Sequence, residues 1–343
     1  METLWFCLVA LMLAVYVILD GFDLGAGIVH LVVAQSESER RLVISSIRPV
    51  WDGNEVWLIA AGGTLYFAFP TLYASSFSGF YLPLMMVLWL LILRGLAIEL
   101  RSHVHEALWK SFWDAGFALA SLLLAIFFGA ALGNVIRGVP LDSTGYFFLP
   151  LWTNFQPGKD AGILDWYTVS VGIAAAFSLT MHGALWVALK TEDAIQERAR
   201  RVSRTAWWGV VVLTGTVTAL SFRVQPRLME NFRGHPWGVL FPLLALSGLT
   251  GVRIWDAKRM ELMTFLSSAA YICGMLTSAA FGLYPYVLPS NGFPSLGLTI
   301  HNSAAAHYGL VIGLRWWIPG MLLATAYFVF VYRNFAGKVR VEQ

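Results

Sequence analysis

LWFCLVALMLAVYVILDGFDLGAGIVHLVV, residues 4–33, carries no charge from Leu4 to Leu19 and then places Asp20, Asp23 and His30 before it ends. A stretch this long and this poor in charge is read as a membrane-crossing helix. Ionisable groups inside such a helix cost kilocalories each and usually mark an ion, proton or substrate path, so a passive anchor is a poor reading of this segment. Glu2 precedes it, no basic region leads into it and no small-residue cleavage site follows it. It is therefore expected to be a retained helix, not a signal peptide.

Composition extends this reading to the whole chain. With 58% hydrophobic and 13% charged residues among 343, apolar stretches recur from end to end. Nine spans are expected: Leu4 to Val33, Asp52 to Phe69, Phe77 to Leu100, Trp113 to Ile136, Ala161 to Leu189, Ala206 to Phe222, Trp237 to Val252, Leu262 to Tyr286 and Tyr308 to Tyr332. The basic residues alternate between the connections. Arg40, Arg41, Arg48, Arg94, Arg101, Lys110, Lys190, Arg198, Arg200, Arg201, Arg204, Arg253, Lys258, Arg259, Arg333, Lys338 and Arg340 share one side, 17 of the 23 Lys and Arg residues. The positive-inside rule makes that side cytoplasmic.

The expected fold is an all-α integral membrane protein of about nine transmembrane helices, two four-helix bundles plus one further helix, with the N-terminus outside and the C-terminus cytoplasmic. A single polytopic domain covers 1–343, with a first bundle in 1–140, an external connection in 141–160 and the remaining helices in 161–343. The longest connections, near Gly138 to Asp160 and Arg223 to Pro236, leave no room for a soluble domain. The net charge of +3 comes from this alternation and not from a basic patch, so nucleic acid is not an expected partner. Cys7 and Cys273 sit in separate apolar segments, which suggests neither a disulfide framework nor a metal site.

Asp20, Asp23, Gly27 and His30 fall on one helical face, with Gly21 and Gly25 beside it. Small residues and carboxylates there serve either as helix-packing glue or as the wall of a hydrated proton path, and spacing does not choose between them. Two carboxylates three residues apart in hydrocarbon should not both ionise without a cation nearby, so one is expected to hold a proton or face an Arg.

WDGNEVW, residues 51–57, opens the second span. Asp52 and Glu55 read as an N-cap with its capping box. Gly53, Asn54, Trp51 and Trp57 go beyond what a helix start needs, and a cap can also relay protons. Arg94 and Glu99, followed by Arg101, read as a snorkelling ion pair at the interface, with a further use as counter-charges for Asp20, Asp23 and Asp52. Gly133 to Pro140 reads as a helix stop with Arg137 at its end. Of seven histidines, only His30 and His182 fall within or at the edge of spans on the same side. They lack the paired spacing of haem ligands and are read as hydrogen-bonded polar groups.

Six blocks together resemble subunit II of the cytochrome bd quinol oxidases: LDGFDLGAG (19–27), PVWDGNEVWL (49–58), SGFYLPL (78–84), LRGLAIELRS (93–102), ALGNVIRGVPL (131–141) and YPYVLPS (284–290). The likeness is nearly continuous in the N-terminal half and weakest from Lys190 to Ala280. His301 and His307, before the last span, depart from the pattern. The cyanide-insensitive branch shares these blocks.

The resemblance implies a two-subunit terminal oxidase that takes electrons from quinol and reduces dioxygen to water. Haem b and haem d belong to the partner, subunit I, so no cofactor ligand, metal or catalytic residue is expected on this chain. A proton route through Asp52, Asp23, Asp20 and Glu55 is expected, with Arg94 and Glu99 as counter-charges and Trp57 beside an oxygen path. The complex would generate proton-motive force without pumping, in a prokaryotic cell membrane. The resemblance also leaves room for a structural quinone or lipid and for small single-helix accessory subunits. Two other classes remain: a proton-coupled secondary transporter, whose signature includes membrane carboxylates on broken helices, and a haem-binding anchor through His30 or His182.

Overall fold

Long apolar runs separated by Gly, Pro and charge fold here into twelve α-helices among the described residues. A computed structural model describes residues 1–339; Arg340, one of the basic residues counted above, lies outside them. The helices are α1 (Glu2–Val33), α2 (Glu37–Ile47), α3 (Trp51–Ala68), α4 (Pro70–Gly79), α5 (Tyr81–Leu100), α6 (Ala107–Arg137), α7 (Trp166–Lys190), α8 (Asp193–Val224), α9 (Leu228–Gly234), α10 (Leu240–Ala257), α11 (Glu261–Leu283) and α12 (His307–Asn334). Among the described residues, eight helical segments are long and apolar enough to cross a membrane: α1, α5, α6, α7, α8, Pro236–Ala257, α11 and α12. The expected second span is α3, 18 residues long, whose polar first turn keeps it out of that set.

Several boundaries move for local reasons. The fourth span starts at Ala107, not Trp113, so Lys110 lies inside the helix. The fifth starts at Trp166, because the Asp165 carboxylate accepts from the Tyr167 and Thr168 amides and fixes the first turn there. The sixth extends back to Asp193 through a polar stretch whose arginines find carboxylates: Arg200 pairs with Glu261 at 2.5 Å and Arg204 with Asp256 at 2.7 Å. Between Arg40 and Arg48 the expected connection is helical. α2 is capped by the reciprocal Ser36–Glu39 box and buries Val43, Ile44 and Ile47, but its 11 residues are too few to span.

Residues 284–306, between α11 and α12, form a third long connection. Pro285, Pro289, Pro294 and two glycines stop helix formation, and β1 (Tyr286–Leu288) pairs antiparallel with β2 (Leu298–Thr299).

The core is built around α1 and α7. α1 packs against α3, α6, α7 and α11. It approaches α7 so closely at Gly25 and Gly183 that a Cβ on Gly25 would stand 2.7 Å from the Gly183 Cα. This is the small-residue helix contact that Gly21 and Gly25 suggest. The apolar stretch of α7 is 72% buried and that of α12 is 0% buried, so α7 is the interior helix and α12 the peripheral one.

Candidate functional site

The carboxylate stripe of α1 faces α3 and α5, and the WDGNEVW block supplies what meets it. Arg94, on α5 and fully buried, donates from Nη1 to Asp20 Oδ1 at 2.6 Å and from Nη2 to Glu55 Oε2 at 2.9 Å. Asp23 Oδ2 accepts from Asn54 Nδ2 at 2.8 Å, and Asn54 Oδ1 accepts from the Tyr332 hydroxyl of α12 at 2.8 Å. Four helices thus converge on two carboxylates that lie one turn apart. Asp20 Oδ2, Asp23 Oδ1 and the nearby Tyr16 hydroxyl are buried with no protein partner.

This geometry corrects two expectations. Arg94 does not snorkel to the interface and does not pair with Glu99. A guanidinium held between two carboxylates keeps its charge balanced in the interior, where an unpaired one would be costly. Glu99 instead pairs with Arg48 at 3.2 Å near the surface, both side chains about half exposed (47% and 45%). Asp52 and Glu55 do not form a capping box. Val50 is the N-cap of α3 without a side-chain bond, Asp52 lies exposed in the first turn, and Glu55 turns inward to Arg94. Trp57 packs its ring on Phe328 of α12, centroids 5.6 Å apart.

A second cluster closes the His30 end of the stripe. His30 Nε2 lies 2.7 Å from Asp114 Oδ1, and Arg101 Nε donates to the same oxygen at 2.5 Å. Arg40 reaches the other oxygen at 3.2 Å. Arg101 also pairs with Glu37 at 2.8 Å, and Lys110 with Glu37 at 3.2 Å. Partial burial pushes the Glu37 carboxyl up, but hydrogen bonds and charge from Arg101 and then Lys110 outweigh it and hold the group below the usual range. Asp114 is the residue that sequence reasoning missed. Its signal was available, since a carboxylate about two turns into an apolar helix calls for a partner.

His182 is engaged at both ring nitrogens, 2.7 Å from Ser268 Oγ and 2.9 Å from the Ile18 carbonyl. His30 is held by Asp114 at Nε2 alone, and its Nδ1 is buried without a protein partner. α1 runs unbroken through Asp20 and Asp23, so the unwound midplane helix of the transporter reading is not found at these carboxylates. Among the described residues no group of His, Cys, Asp and Glu is arranged to hold a metal ion.

Arg137 is buried at the end of α6, bonded to Asp165, to the Gly162 carbonyl at 2.9 Å and to Asn134 Oδ1 at 2.7 Å. The next residue, Gly138, has φ +88° and would place a Cβ 2.8 Å from the Pro289 carbonyl oxygen, so only glycine fits without strain. Val139 then donates to that carbonyl at 3.0 Å. The ALGNVIRGVPL and YPYVLPS blocks meet here and pin the connections to the helix ends.

A family model described as cytochrome bd terminal oxidase subunit II matches residues 1–335. The chain is 32% identical to a probable cytochrome oxidase subunit 2 of Haemophilus influenzae, covering 98% of this chain and 94% of that one. It is 27% identical to the cytochrome bd-I ubiquinol oxidase subunit 2 of Escherichia coli K12, with 99% and 95% covered. Against the cytochrome bd ubiquinol oxidase subunit 2 of Bacillus subtilis, identity is 29% and coverage 91% and 89%. The bd oxidase structure from Geobacillus thermodenitrificans shares the fold, with a TM-score of 0.76 at 19% identity over 97% of this chain and 98% of that one.

Proposed function

The chain belongs to the cytochrome bd terminal oxidase subunit II family, and on that premise we propose that it is the haem-free half of a two-subunit quinol oxidase, bringing protons and oxygen to the partner subunit. The observation that carries the proton route is a gradient of exposure. Asp52 is exposed at the mouth of α3, Glu55 one turn further in is 22% exposed, and Arg94 with Asp20 is fully buried. Asp23 lies one turn along α1 and is reached through Asn54. Protons enter at Asp52 and pass along the carboxylates. Arg94 holds Asp20 and Glu55 in place, and the unpartnered oxygens of Asp20 and Asp23 offer acceptors for water.

In this reading α3 is the ninth span. Its 18 residues rise about 27 Å as a helix, and α4 follows after Phe69 alone. The N-terminus is then outside and the carboxylate mouth faces the cytoplasm. Dioxygen is apolar and partitions into lipid, and the Trp57–Phe328 contact between α3 and α12 gives it a dry side entrance. The peripheral helix α12 exposes Trp316, Leu322, Leu323, Tyr327 and Phe330 to lipid or to the partner.

Haem, held by the partner, supplies electron transfer and oxygen reduction. This chain holds and hands on protons. Uptake from the cytoplasm, with quinol protons released outside, makes the complex electrogenic without a pump. The test is a gentle purification of the tagged chain from its native membrane. A larger co-purifying subunit, haem b and haem d bands in the reduced-minus-oxidised spectrum and quinol-driven oxygen uptake are expected. A partnerless, haem-free, inactive preparation would overturn the assignment.

A further inference from the structure

A cavity of about 610 Å³ lies between the ends of α6, α7 and α8 and is separate from the carboxylate stripe. Arg137, Arg223 and Arg227 line it together with Trp166 and one carboxylate, Glu230. Arg137 is neutralised by Asp165. Arg227 lies over the Tyr286 ring, 5.5 Å from its centroid. Neither Arg227 nor Arg223 forms an ion pair among the described residues, and Glu230 pairs with neither. Two uncompensated guanidiniums on one wall repel each other, and an anion between them removes that cost.

Guanidinium forks bind the oxygens of phosphate, like those of carboxylate, in a bidentate manner. Depth narrows the source. Arg137 closes α6, Trp166 opens α7 and Arg223 stands in the last turn of α8, so the cavity lies at the level where helices leave the bilayer. Arginines at that level meet the phosphate layer of the bilayer, where their charged forks can hold a lipid headgroup. We propose that this cavity binds the phosphate of a membrane phospholipid headgroup, with Arg223 and Arg227 as its ligands and Trp166 flanking the site.

The test is native mass spectrometry of the purified two-subunit complex with dioleoyl-phosphatidylethanolamine, comparing wild type, the Arg223→Gln/Arg227→Gln double variant and Arg315→Gln. Wild type and Arg315→Gln should each hold one more phospholipid than the double variant. Losing two charge-assisted bonds should lower its occupancy at this site at least roughly tenfold. Arg223 is exposed and Arg227 half-buried, so an unchanged helical circular dichroism signal serves as the folding control. Equal lipid occupancy in all three proteins would overturn the proposal. Displacement of the lipid by millimolar inorganic phosphate would overturn the lipid assignment in favour of a free anion. The lipid count does not depend on turnover, so it is independent of the oxidase reading.

Discussion

Arg94 is the residue on which the interior charge balance depends. Replacing it with leucine leaves Asp20 and Glu55 facing each other without a cation, and breaking a buried pair of this kind costs about 3–5 kcal/mol. Arg94→Leu should therefore lower the yield and the thermal midpoint of the complex, and Arg94→Lys should recover part of both. A midpoint equal to wild type in Arg94→Leu would mean that the two carboxylates are neutral there. Tyr332→Phe removes the donor to the buried Asn54 Oδ1, at a cost of roughly 1–3 kcal/mol for the orphaned acceptor. An unchanged thermal midpoint would show that another group takes its place. The sequence made Asp20 and Asp23 legible as a carboxylate pair in hydrocarbon, one of which should hold a proton or face an Arg. It named Arg94 as a counter-charge but not its burial or its exact partners, because Arg94 and Glu99 on one helix read locally as an interface pair. Only the approach of α1, α3 and α5 turns Arg94 inward.

Helices were legible from hydropathy wherever apolar runs were long, as in α1, α6 and α7. α2 was not, because its burial comes from a short amphipathic face and not from an apolar run. Glu37 fixes the first turn of α2 to Arg101 and Lys110. Its carboxyl titrates lower in the folded chain than in the unfolded one, so its contribution is complete above the unfolded value and is lost as pH falls through the lower folded value. Hydrogen-exchange protection of α2, corrected for intrinsic rates, should hold above about pH 5 and fall below about pH 4. Glu37→Gln should lose this dependence, and a variant that keeps it would place the titration elsewhere. The α1–α7 contact gives a steric test. Gly25→Val drives methyl groups into the α7 backbone at Gly183 and should abolish stable assembly, whereas Gly63→Ala meets nothing within 4 Å and should be neutral or slightly stabilising. Matched yields for the two variants would contradict the close approach.

At the scale of the molecule, a buried charged stripe is held between a well-packed helix, α7, and a peripheral one, α12, whose Tyr332 bonds Asn54 and whose Phe328 packs on Trp57. That asymmetry suits a subunit that functions against a partner. The six sequence blocks pointed to this family before any geometry, and most of them lie at helix ends or along the stripe, where chemistry and chain reversal constrain residue type. The likeness is weakest from Lys190 to Ala280, a stretch that supplies none of the residues of the carboxylate stripe. The most direct measurement is quinol-driven oxygen uptake by the purified complex carrying Asp52→Asn, beside wild type, at saturating quinol and with the haem spectrum recorded on the same samples. The proton-route account expects identical haem bands and clearly slower uptake in the variant. Identical bands with wild-type turnover would show that protons do not enter at Asp52.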